Sequence, residues 1–131
     1  MADGRIPVLL DPDGLGGAPV LLAESNAILL YLAQKTRRFL LDDVALRLET
    51  LQWLFWQASS LGATFGQIGY YHRFEGSEIE DPSPLAKHVD EAKRLLGQLE
   101  TRMVGHKWLV GNDYSIADMA VPPWIRNLIG Y

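Results

Sequence analysis

The sequence predicts an α+β chain in which a short β-β-α unit precedes an all-helical part. Three observations carry this. Two apolar, β-prone runs, Ile6-Pro7-Val8-Leu9-Leu10 and Pro19-Val20-Leu21-Leu22, flank a glycine-rich connection that opens with Asp11-Pro12-Asp13-Gly14. From Ser25 the hydrophobic period changes to that of a helix. Beyond it, Asp42-Asp43 and Ser115-Ile116-Ala117-Asp118 stand as helix-start signals.

The two apolar runs pair as an antiparallel hairpin, which is marginal in water unless it packs on something else. In the helix that follows, Ile28, Leu29, Leu32 and Ala33 share a face, and Lys35, Arg37 and Arg38 crowd the C-terminal turn, where the helix dipole favours cations. Asp42-Asp43-Val44 restarts a helix whose stripe is Leu48, Leu51, Phe55 and Ala58, with Phe55 expected in the core. Gly62, Gly66 and Gly69 are expected to loosen that helix and leave the chain to Glu80 irregular or broken. Pro82 and Pro84 open the next helix, with Leu85, Val89, Ala92, Leu96, Leu99 and Met103 as its stripe, and Gly105 ends it. Ser115 caps the last helix with Asp118 at its third position, and Pro122-Pro123 is expected to kink it.

Composition excludes several functions. The 131 residues are 48% hydrophobic and 21% charged, a globular rather than a disordered balance. A net charge of −4 leaves no footprint for nucleic acid or an anionic membrane. No apolar run reaches the roughly 18 residues of a membrane span, and Met1-Ala2-Asp3-Gly4-Arg5 lacks a secretory apolar core, so a cytoplasmic protein is the expectation. The absence of cysteine removes disulfides, thiolate metal sites and a cysteine nucleophile. His72, His88 and His106 lack metal-ligand spacing, so no metal is expected.

Several blocks are more particular. Ile6-Pro7-Val8-Leu9 followed by Leu22-Ala23-Glu24-Ser25-Asn26-Ala27-Ile28-Leu29-Leu30-Tyr31-Leu32 resembles the second half of the thioredoxin-like domain of glutathione transferases. Thr50-Leu51-Gln52-Trp53-Leu54-Phe55-Trp56-Gln57, Leu61-Gly62, Phe65-Gly66-Gln67, Glu91-Ala92-Lys93-Arg94-Leu95-Leu96 and the stretch from Gly111 to Ala120 resemble the helical domain of the bacterial nu class. That class comprises glutathione-dependent disulfide-bond reductases and is related to the yeast nitrogen-regulating prion protein. The resemblance implies that residues 1–40 are the C-terminal half of a thioredoxin-like, glutathione-binding domain and that residues 41–131 are an incomplete helical domain. It also implies a chain truncated at both ends, with the family's sulfur-activating Ser, Tyr, Cys or Thr/Asn lying upstream.

The site expectations follow from both sources. A helix N-terminus suits a carboxylate, because its unpaired N–H groups and dipole favour an anion. Ser25 either serves as an N-cap or meets the γ-glutamyl carboxylate of glutathione, and Glu24 is placed to pair with the ammonium. Pro7 reads as an edge-strand proline from pattern alone; by resemblance it is the family's cis-proline, with the Ile6 backbone facing the cysteinyl part of glutathione. Tyr70, Tyr71 and His72 are candidates for the second-substrate pocket. Lys87 stands near a basic position of the nu class, or is a solvated helix lysine. The catalytic group is unassigned, since the resemblance places it upstream of this chain; glutathione itself brings the sulfur, so the lack of cysteine does not count against redox chemistry. The implied function is a glutathione transferase or glutathione-dependent disulfide-bond oxidoreductase acting on a small electrophile or disulfide. A homodimer is expected through the helices starting at Ser25 and Val44. The alternative is a non-catalytic fragment serving as a binding or dimerisation module.

Overall fold

The computed structural model describes residues 4, 6–75 and 81–128. Strands β1 (Val8–Asp11) and β2 (Val20–Ala23) pair antiparallel, with Val8 opposite Ala23 and Asp11 opposite Val20. Helix α1 (Ser25–Thr36) leaves β2 directly and packs back on the hairpin. One anchor is polar. The Asp11 carboxylate accepts hydrogen bonds from the Tyr31 hydroxyl (2.6 Å) and from Lys35 Nζ, which also donates to the Asp13 carbonyl. The expected face of α1 is largely the buried one, with Ala33 buried and Leu29 packed beside it, but Leu32 is exposed and Tyr31 is buried in addition. Tyr31 hides its ring because its hydroxyl finds Asp11, which a purely apolar count does not register.

Helix α2 (Val44–Trp56) starts as expected, with the Asp43 side chain accepting from the Leu46 N–H at 2.9 Å. Of its expected stripe only Leu51 packs against the core. Leu48 and Phe55 are 62% and 72% exposed, and the buried positions are Thr50, Leu54, Gln57 and Leu61. Two of those four are polar. Thr50 satisfies its hydroxyl on the Leu46 carbonyl, and Gln57 meets Asn26. A count of apolar side chains therefore selects a face turned by roughly a third of a turn from the buried one.

The glycine-rich stretch also departs from expectation. The chain stays helical from Val44 to Glu75: α2, a π-segment Gln57–Leu61, α3 (Gly62–Tyr70) and a second π-segment Tyr71–Glu75. Gly62 is there for space, since a Cβ would lie 2.9 Å from Gln57 Nε2 and 3.3 Å from the Trp124 ring. Residues 76–80, the remainder of that expected irregular stretch, lie outside the described residues.

Helix α4 (Ser83–Met103) follows, and Gly105 turns the chain out of it at φ 73°. The last two helices correct another expectation. Pro122 and Pro123 do not kink a helix; α5 (Ile116–Ala120) ends before them and α6 (Pro122–Leu128) begins on them. Proline is tolerated in a first turn, where its missing N–H has no partner to lose.

The core sits in the helical part. Leu61, Phe65, Ile68, Ala92, Leu95, Leu99, Val110, Ala117 and Val121 join α3, α4 and α5 around a common interior. A second cluster of Ala33, Leu54, Ile116 and Ala120 binds α1 to that interior. The Ile116 N–H also donates to the Phe39 carbonyl at 2.9 Å, tying the connection after α1 to the start of α5. Among the described residues, no helix is long and apolar enough to cross a membrane.

Candidate functional site

The hairpin register decides where the candidate residues meet. Because Val8 opposes Ala23, the residues entering β1 and those leaving β2 share one end of the ribbon. Ile6, Pro7, Glu24 and Ser25 are therefore gathered there. All four are exposed, Ile6 at 92%, and the Ile6–Pro7 peptide bond is cis.

The turn into α1 is unusual. Glu24 has φ 70° and ψ 114°, a positive-φ conformation that costs a non-glycine residue about 1–3 kcal/mol. Its carbonyl accepts the first helical bond, from the Ile28 N–H at 3.0 Å. Glu24 is thus the N-cap and Ser25 the first helical residue, which sets aside the reading of Ser25 as a cap. Among the described residues, no side chain caps this helix, and no acidic residue stands in its first turn. The N–H groups of Ser25, Asn26 and Ala27 are left at an exposed, positive helix end. Chemically, that is a seat for an anion beside a carboxylate, Glu24, which can hold a cation.

The turn is held from behind. The Asn26 side-chain amide donates to the Leu54 carbonyl and to Gln57 Oε1, each at 2.8 Å. Both acceptors belong to the long helix, so the helical part grips α1 at its first turn. Sequence reasoning passed over Asn26 and Gln57. The available signal was two polar residues, Thr50 and Gln57, at helical spacing with Leu54 and Leu61.

The expected second-pocket residues lie elsewhere on that helix. Tyr70 is roughly 20 Å along the axis from Gln57, at 1.5 Å per residue. The rings of Tyr70 and Tyr71 meet edge-on at 6.1 Å, and Tyr71 lies 6.2 Å from the His88 ring on α4. Tyr70, His72 and Lys87 are exposed, and Tyr71 is half-buried. Among the other aromatic side chains of this helix, Phe65 is in the core and Trp53 packs edge-on against Trp56 at 5.1 Å.

Two further features bear on the site. The Lys35 ammonium, and next the Tyr31 hydroxyl, hold the Asp11 carboxyl below its ordinary 3.8, while Asp11 raises both partners. This network braces the hairpin, not its open end. An apolar cleft of about 320 Å³ lies between α4, the loop before α5, and α6, with Met103, Trp108, Tyr114, Val121 and Ile125 among its walls. Asp118 borders the cleft, but its carboxylate is engaged by the Leu109 N–H, the Ser115 N–H and the Ser115 hydroxyl at 2.8–3.1 Å. Among the described residues, no three His, Asp or Glu side chains are grouped to hold a metal.

Residues 61–128 match the glutathione S-transferase C-terminal domain family. The chain is 41% identical over 125 residues to the disulfide-bond oxidoreductase YfcG of Escherichia coli (strain K12), covering 95% of this chain and 57% of that protein. It is 38% identical to the disulfide-bond oxidoreductase YghU of the same strain, covering 97% of this chain and 43% of YghU. Among solved structures, a glutathione transferase from Pseudomonas putida with one glutathione disulfide bound per subunit superimposes with a TM-score of 0.93. It is 49% identical, with 98% of this chain and 55% of that one covered. A family member from Pseudomonas fluorescens with two glutathione bound gives the same TM-score at 50% identity, over 98% of this chain and 56% of that one. The chain spans about half the length of the relatives it matches.

Proposed function

The chain belongs to the glutathione S-transferase family, and we propose that it binds glutathione at the shared end of the hairpin and the first turn of α1. The observation that carries this reading is the uncapped, exposed N-terminus of α1 behind a positive-φ Glu24. The γ-glutamyl carboxylate takes the N–H groups of the first turn and the Ser25 hydroxyl. Glu24 pairs with the γ-glutamyl ammonium. The Ile6 backbone, turned outward before Pro7, runs beside the cysteinyl unit as a neighbouring strand would. Residues 1–40 then act as the ligand-binding part and residues 41–131 as its helical support.

The reaction is glutathione transfer or glutathione-dependent disulfide reduction. In the second, two bound glutathione thiols reduce a substrate disulfide, becoming glutathione disulfide while their protons pass to the two released thiolates. Relatives named as disulfide-bond oxidoreductases, and neighbours holding two glutathiones or one glutathione disulfide, support that choice. No thiol of the protein is required, which agrees with a chain that has no cysteine. The second substrate is assigned to the stretch Tyr70, Tyr71 and His72 with Lys87, and the protein to the cytoplasm.

A second reading, a homodimeric binding module, is favoured by apolar residues turned to solvent. Leu10 and Leu21 face out together from the hairpin, and Val44, Leu48 and Phe55 do so from α2. Calorimetric titration with reduced glutathione tests the first reading. Saturable heat at millimolar ligand is expected, and its absence would leave only the module.

A further inference from the structure

We infer that Asn26, acting through Gln57, is a positioning residue for glutathione, an inference that rests on the glutathione reading above. Asn26 is the second residue of α1, between Ser25 and Ala27, whose N–H groups face the proposed ligand. An asparagine amide has two N–H donors. Both are used on the helical part, on the Leu54 carbonyl and Gln57 Oε1 at 2.8 Å each, and none on the hairpin that carries Ile6 and Pro7.

The receiving side is built for this contact. At Gln57 the helix passes from i→i−4 to i→i−5 bonding: the Gln57 N–H is shared by the Trp53 and Leu54 carbonyls, and the Gly62 N–H bonds to the Gln57 carbonyl. Such π-segments are frequent at functional sites. Here the register change falls where the Leu54 carbonyl and the Gln57 side chain meet Asn26. Gln57 is only 4% exposed, and Gly62 leaves room for its amide, since a Cβ there would lie 2.9 Å from Nε2. A buried, sterically fitted glutamine thus holds the first turn of α1 against rotation about its own axis. The N–H groups that would meet the γ-glutamyl carboxylate take their orientation from a residue that never touches it.

The test is glutathione affinity by calorimetry, at a temperature where circular dichroism shows each variant folded. Asn26→Ala and the near-isosteric Asn26→Asp, which has no side-chain donors, are each expected to weaken binding about tenfold, the scale of one or two lost hydrogen bonds. Gln57→Leu should match them. Gln57→Glu keeps the acceptor and should stay within about threefold of the unmodified chain. A residue that merely glues two parts together would lower stability without these affinity losses, and without rescue by Glu. The combination Ser25→Ala with Asn26→Ala should lose less than the product of the two single losses, because Asn26 works through the turn that Ser25 occupies. Gly97→Ala on α4, with open space around its Cβ, serves as the unchanged control. Unaltered affinity in Asn26→Ala, or multiplying losses, overturns the inference while Ser25→Ala still weakens binding. If Ser25→Ala is itself without effect, the glutathione reading falls and this inference falls with it.

Discussion

At Ser115 the chain enters α5 in the interior, and the Asp118 carboxylate gathers the Ser115 N–H, the Ser115 hydroxyl and the Leu109 N–H. At Glu24 it enters α1 at the surface, with a positive-φ residue as N-cap and, among the described residues, no side chain on the first-turn N–H groups. Both helices face the same requirement, since the first N–H groups of any helix lack internal partners. One end is closed by the protein's own groups, the Ile116 N–H on the Phe39 carbonyl, the Asp118 N–H on the Ser115 carbonyl and the Asp118 carboxylate on the N-cap N–H, and so contributes to stability. The other is left open, at a local cost in backbone strain, and so can take a carboxylate from outside. This contrast separates a helix end that holds the fold from one that is left open to an outside anion.

The sharpest way to break the contrast is at the closed end. Asp118→Ala strands two buried N–H groups, of Leu109 and Ser115, and a buried hydroxyl, and chemical denaturation should show a loss of about 3 kcal/mol. At the open end, Ser25→Ala should leave stability within about 0.5 kcal/mol, as for an exposed side chain without partners. Glutathione affinity in that variant should fall about tenfold, corresponding to about 1.4 kcal/mol. Equal stability losses at the two ends would erase the distinction.

The strain itself is open to test. Glycine adopts positive φ without penalty, so Glu24→Gly should raise stability by about 1 kcal/mol while weakening glutathione binding. A variant that is both less stable and unchanged in binding would show that Glu24 serves the fold instead.

Much of this was legible in the sequence, and the failures share a cause. The hairpin, the starts of α1, α2 and α4, and the Ser115–Asp118 pair follow from local turn and cap chemistry, which depends on neighbouring residues. Phe55 was expected inside and is exposed, while Thr50 and Gln57 were not expected in the core and are buried. Periodicity counts apolar atoms, whereas these two polar residues are buried because distant or preceding groups satisfy them. The glycines that suggested an irregular stretch lie within a continuous helix for a related reason: Gly62 is set by the packing of Gln57 and Trp124, not by local flexibility. Asn26 and the Asp11–Tyr31–Lys35 network were hidden likewise, since their partners lie 20 to 31 residues away in sequence.

The smallest expected effect concerns the hairpin brace. The Asp11 carboxyl is held below its ordinary 3.8 by Lys35 and Tyr31, so the folded state binds that proton less readily than the unfolded chain. Its stabilising share is complete above that ordinary value and declines as pH falls through the folded one. Lys35, raised above 10.5 by Asp11, contributes in the opposite sense, its share declining as pH rises through its folded value. Asp11→Asn should therefore flatten the acid limb of a melting-temperature profile and leave glutathione affinity nearly unchanged. An acid limb identical to that of the unmodified chain would show that the brace carries no weight.

The central claim is that the open first turn of α1 receives the ligand's carboxylate. Backbone amide resonances followed by two-dimensional NMR during a glutathione titration address it residue by residue. The Ser25, Asn26 and Ala27 amides should shift together and saturate along one binding curve, with the Ile116, Ala117 and Asp118 amides of the closed turn unmoved. Saturable shifts elsewhere, with those three amides still, would contradict it.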